Sequence, residues 1–140
     1  MYKKRTIPYL LLSFAMGILA MYLVQQFVLQ PSLETTLLNT SNEFNLHCPV
    51  MIDKITRFDN TSVVNDKEFR FSYTIVNALK DSVDKKELYS YLEPIVLHGI
   101  KANPALEYLR TKKITITCVY KDKHEVTLAE IRVTPDKYLK

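Results

Sequence analysis

The 140-residue sequence has two glycines, two cysteines and no tryptophan, which excludes collagen-like, low-complexity and disulfide-dense architectures. With 47% hydrophobic residues it holds enough apolar material for one modest core. The formal charge of +4 is misleading, because Lys3, Lys4 and Arg5 cluster at the start and every acidic residue lies beyond Gln30. The remainder is nearly neutral with interspersed charges, which argues against a phosphate-backbone footprint and so against nucleic-acid binding.

From Ile7 to Leu29 the chain reads IPYLLLSFAMGILAMYLVQQFVL, without Asp, Glu, Lys or Arg. As a helix rising ~1.5 Å per residue, that run reaches about 34 Å, enough for a ~30 Å hydrocarbon core. The expectation is a single-pass transmembrane anchor over residues 7–29. Residues 1–6 then form a cytoplasmic basic flank, and 30–140 an extracytoplasmic domain on the outer side of an inner or plasma membrane. A cleaved signal peptide competes with this reading, with Ala20 before the cut, but Ile18 stands where a second small residue is wanted. Both readings put the domain in the same compartment. Gly17 and Ala20 offer a small-residue face for self-association.

Beyond Pro31 the pattern turns amphipathic. Leu33, Leu37, Ser41, Phe44 and Cys48 recur at helical spacing, and Pro49 ends the helix. Ile52–Asn60 and Glu68–Val76 read as strands joined through Asn65-Asp66-Lys67, the second alternating Phe69, Phe71, Tyr73 and Ile75 with polar residues. Asp84 opens a second helix in capping-box spacing with Glu87. Its expected stripe is Leu88, Tyr91, Leu92, Ile95 and Val96, with a kink at Pro94, an end at Gly99 and Tyr89 outward. Asn103-Pro104 caps a short third helix. Residues 114–120 and 126–133 form a last hairpin about Asp122-Lys123-His124. The expected fold class is therefore α+β, in the order α-β-β-α(α)-β-β. It has a four-stranded antiparallel sheet and helices on one face.

The run Pro49-Val50-Met51-Ile52-Asp53-Lys54-Ile55-Thr56-Arg57-Phe58-Asp59 resembles a group of small bacterial envelope proteins of unassigned function. Their shared pattern is P-x-M-[IV]-D-x-x-T-R-[LF]-D, followed by an F-x-Y-[TN] strand matched by Phe71-Ser72-Tyr73-Thr74. A later N-P-x-[LM] element is similar to Asn103-Pro104-Ala105-Leu106. The resemblance implies an envelope compartment and an α+β fold. It suggests that Asp53, Thr56, Arg57 and Asp59 form a unit, and it supplies no catalytic residues.

Those four residues are the candidate ligand- or partner-binding patch. On one strand Asp53, Arg57 and Asp59 share a face, so Arg57 can bridge two carboxylates, either for recognition or as an ion-pair ladder that fixes register. Cys48 and Cys118 are an even pair in an oxidising compartment and can form a disulfide, or remain two buried thiols. His47, His98 and His124 are too scattered for a zinc site, and no glycine-rich elbow accompanies Cys48. No cofactor and no catalytic group is expected. The leading functional reading is an envelope interaction module with a protein partner, and the alternative is a small enzyme or ligand binder using Asp53, Arg57 and Asp59.

Overall fold

The computed structural model describes residues 6–27 and 31–140, with side chains over 15–26 and 31–140. The chain divides into two compact units, with the boundary between Ser32 and Leu33. The first contains helix α1, Thr6–Phe27. The expected transmembrane span is corrected here: among the described residues, no helix is long and apolar enough to cross a membrane. Lys3, Lys4 and Arg5, and residues 28–29 at the far end of the expected span, lie outside the described residues.

The second unit opens with α2 (Leu33–Asn45) and the two-residue strand β1 (Val50–Met51). A hairpin of β2 (Thr56–Asn65) and β3 (Glu68–Ile75) follows, then α3 (Lys85–Ala102) and α4 (Glu107–Thr111). A second hairpin, β4 (Thr115–Lys121) and β5 (Thr127–Val133), leads into a final turn of helix, α5 (Pro135–Tyr138). The sheet has five strands in the order β1-β2-β3-β4-β5. It is mixed, because β3 and β4 run parallel, from Glu68 beside Thr115 to Thr74 beside Lys121.

Two expectations are thereby corrected. A hairpin-by-hairpin reading assumes that the central pair is antiparallel. Here the long connection through α3 and α4 carries the chain back to the starting end, so β4 enters alongside β3 in the same direction. The fifth strand was hidden because Val50 and Met51 are cut off from β2 by a tight turn, in which Ile52 and Asp53 both donate to the Thr56 carbonyl.

Alternation on β3, β4 and β5 puts Phe69, Phe71, Ile116, Cys118, Ala129, Ile131 and Val133 on the helix-covered face. Leu37 from α2 and Leu109 from α4 are fully buried against it. Asp84 caps α3 as its spacing suggests, its Oδ1 accepting from the Lys86 and Glu87 N–H groups at 2.8 and 3.0 Å. At the other end, Arg110 Nη1 donates to the carbonyls of Ile100 (2.6 Å) and Asn103 (2.8 Å), satisfying acceptors that a helix C-terminus leaves open. Helix α3 therefore runs through Pro94 and past Gly99 to Ala102. Its buried stripe is Leu92, Val96 and Ile100 with Leu88 partly buried, narrower than the pattern implied. Tyr91 and Ile95 face outward at 66% and 51% exposure, while Tyr89 is half-buried and donates to Glu93.

The β4–β5 turn is organised by Asp122, only 2% exposed. Its carboxylate accepts from His124 N–H at 2.8 Å, Val126 N–H at 2.9 Å and Lys80 N–H at 3.1 Å, tying the loop after β3 to the second hairpin. Burial works to raise its pKa, but the N–H groups of Val126, His124 and Lys80 outweigh burial and hold the carboxyl below its ordinary value. A depressed folded pKa contributes stability that is present above the unfolded value of about 3.9 and is lost as pH falls through the folded one. Urea midpoints of wild type and Asp122→Asn should therefore differ most at neutral pH and converge below about pH 4. A gap that stays constant with pH would show that the charge contributes nothing.

Candidate binding groove

Helix α2 lies over β2 and helix α3 over β5, so the middle strands carry a cleft between the two helices. Phe71 and Tyr73 of β3 and Cys118 and Tyr120 of β4 form its floor, Phe44 one wall, and Ile95, Val96 and Gly99 the other. The cavity measures about 320 Å³, and no charged side chain lines it. Its aromatic groups are in register: Phe44 meets Phe71 edge-on at 5.6 Å, and Tyr73 stacks on Tyr120 at 4.9 Å with 15° between the rings. Ile52 and Ile95 stand at the mouth, 56% and 51% exposed. Gly99 is an interior helix position where an added Cβ would meet nothing within 4 Å, so packing within the chain does not require it. It costs roughly 1 kcal/mol of helix stability relative to alanine.

The wall made by α2 is stitched to β2 by one side chain. Asn45 Oδ1 accepts from the Thr61 N–H at 2.6 Å, and Asn45 Nδ2 donates to the Thr61 carbonyl at 2.9 Å. The amide thus does for Thr61 what a neighbouring strand would do, beyond the point where β1 has ended. Ser41 adds a hydroxyl contact to Thr61 Oγ1 at 2.9 Å.

The chemistry of the groove is neutral. Burial pushes the Cys118 thiol up to about 12, so it stays protonated and inert near neutral pH. Cys48 is also raised, first by burial and then by the Asp59 charge, and its Sγ lies 3.4 Å from the Phe44 carbonyl. Both cysteines are free thiols. Burial likewise raises Tyr73 and Tyr120, so both phenols keep their protons.

The patch read from the sequence separates into two parts. Asp53 is on the turn before β2, its Oδ1 accepting from the N–H groups of Ile55 (2.8 Å) and Thr56 (2.7 Å). The Ile55 bond is the main cause holding its pKa below the ordinary value. The same turn carries Ile52 to the mouth of the groove. Arg57 pairs through Nε with Asp59, whose other oxygen accepts from Thr74 Oγ1 at 2.6 Å. Arg57 stands opposite Thr74 while its neighbour Phe58 stands opposite Tyr73, so this cluster occupies the sheet face away from the groove. Arg57 and Asp59, two apart on β2, share that face, and the pairing register shifts between Phe58 and Asn60. Arg57 does not bridge Asp53 and Asp59. Among the described residues no group of three His, Cys, Asp or Glu side chains could hold a metal.

The groove itself was missed, although one signal pointed to it. The apolar stripe on α3 is too wide for the strand it covers, and the surplus, Tyr91 and Ile95, is what remains exposed.

A family model matches residues 32–129, well over half the chain. The chain belongs to the DUF8479 family, a domain of unknown function. Among curated proteins, none matches. Among solved structures, the DUF8479 chain is similar to a protein described as secreted, from Pseudomonas aeruginosa. That alignment has 11% identity and a TM-score of 0.65, and it covers 76% of this chain and 92% of that one. It is also similar to the type 2 secretion pilotin EpsS of Vibrio vulnificus, at 9% identity, TM-score 0.58, and 76% and 91% coverage. The type II secretion pilotin AspS of Vibrio cholerae aligns at 11% identity, TM-score 0.50, and 71% and 89% coverage. At such identities the likeness is one of fold.

Proposed function

We propose that the DUF8479 chain is a non-catalytic interaction module of the cell envelope, positioned outside the cytoplasm, whose groove holds an amphipathic helix of a partner protein. The observation that carries this reading is the open cleft between α2 and α3, with its aromatic floor and uncharged lining. A helix suits that cleft. Floor and walls present side chains, so an extended segment laid there finds no backbone partners, whereas a helix satisfies its own N–H and C=O groups. Gly99 supports the same occupant, because a glycine on a helix face lets another backbone approach closely. The groove offers no activated nucleophile or charged acid–base pair, since its thiol and phenols are held protonated. Two proteins of like fold belong to type II secretion systems and a third is described as secreted, which supports an envelope placement within an assembly.

The test is photo-crosslinking in intact cells from a benzophenone side chain at Ile95, with the same group at Lys121, on the opposite sheet face, as the control. A discrete adduct from position 95, absent from position 121, is the expected result. Equal labelling from both positions, or none from either, would refute the groove.

A further inference from the structure

Apart from Asn103, whose Oδ1 accepts from the Ala105 N–H at 2.9 Å, the polar side-chain groups of the groove are its thiol and two phenols. Tyr73 and Tyr120 lie side by side on adjacent strands, their rings stacked at 4.9 Å, and both line the cavity. Tyr120 is only 7% exposed. Two buried hydroxyls of the core have partners: Tyr138 donates to the Ile114 carbonyl at 2.8 Å, and Thr117 to Glu68 at 2.9 Å. No hydrogen bond is made by the hydroxyl of Tyr73 or of Tyr120 to any described residue. Among the described residues the one buried side-chain nitrogen or oxygen left without a partner is Arg70 Nε, so these two hydroxyls still reach water in the free groove and would lose it when an occupant seals the site.

We infer that the Tyr73–Tyr120 hydroxyl pair is the polar specificity determinant of the groove, and that the partner helix carries a carboxamide side chain, Asn or Gln, within its otherwise apolar stripe. This rests on the groove reading proposed above. Each phenol both donates and accepts, and a carboxamide offers one acceptor oxygen and a donor NH2, so one tyrosine can donate to the oxygen while the other accepts from the nitrogen. Acidic side chains are excluded, because the lining holds no cation to replace the water a carboxylate would lose and the Asp53 charge already bears on Tyr120. A wholly apolar stripe would leave both hydroxyls unpaired in a site newly sealed from solvent, which is how buried polar groups reject partners lacking the matching group.

The test uses the full chain, a displayed library of amphipathic helical peptides with every stripe position randomised, and the double variant Tyr73→Phe/Tyr120→Phe. Selection on the wild type should enrich Asn or Gln at one stripe position, and selection on the double variant should place Leu, Ile or Met there. The best wild-type peptide should bind the double variant about tenfold more weakly, the loss of one to two neutral hydrogen bonds. The free double variant should melt no lower than the wild type, which separates lost recognition from lost folding. Groove binders with purely apolar stripes on both proteins would overturn this inference and leave the groove standing. Enrichment of Asp, Glu, Lys or Arg at that position would overturn it as well. Peptides indifferent to Ile95→Glu, or no binders at all, would overturn the groove reading and this inference with it.

Discussion

Asn45→Ala is expected to lower the unfolding free energy by about 2–4 kcal/mol, a large effect for a half-buried polar side chain. The reason is the backbone it serves. Thr61 is 3% exposed, and both its N–H and its carbonyl are bonded to the Asn45 amide. Truncation orphans a buried donor and a buried acceptor at once, each worth roughly 1–3 kcal/mol when left unsatisfied. Asn45→Asp is the informative companion. It keeps an acceptor for the Thr61 N–H but sets a second carboxylate oxygen against the Thr61 carbonyl. It should be at least as damaging as alanine at pH 7 and recover in part when acid protonates the new side chain. Urea denaturation of both variants, with exchange protection of the Thr61 amide, measures this. A loss under about 0.5 kcal/mol for Asn45→Ala would mean that water replaces the amide without cost.

Ile95→Glu tests function in the way that Asn45 tests structure. Ile95 is half exposed in the free domain, so the substitution should change stability by no more than about 0.5 kcal/mol. In a complex the same position faces a sealed apolar cleft, and a carboxylate there must be desolvated with no counter-ion in the lining. Central interface positions of this kind lose 2 kcal/mol or more on disruption, so capture of the partner should weaken at least about thirtyfold. Gly99→Leu should act alike by a different route, filling the space that glycine leaves open. The readout is the crosslinked adduct or peptide affinity beside a thermal melt. Unchanged capture by both stable variants would remove α3 from the interface.

Local chemistry made much of this fold readable. Asp84 at the start of α3, the Asn65-Asp66-Lys67 turn and the phenylalanine alternation of β3 each state their role within a few residues, because caps, turns and strand faces are short-range phenomena. The parallel joint between β3 and β4 was not readable, since strand direction depends on where a long connection returns and not on either strand's composition. Asp53, Arg57 and Asp59 read in sequence as one polar concentration, but a tight turn not marked by glycine sets Asp53 apart from the Arg57–Asp59 pair. The groove was hidden for a third reason. It arises from the distance between two helices laid over one sheet, and no segment of sequence encodes a gap.

The floor of that cleft straddles the parallel joint. Phe71 and Tyr73 come from the first hairpin, Cys118 and Tyr120 from the second, and no tight turn links β3 to β4. Neither half contains a recess of its own, so an occupant resting on both acts as a clamp across the seam. Loading should therefore harden the domain along the line where its two halves meet, well beyond the side chains that the occupant touches.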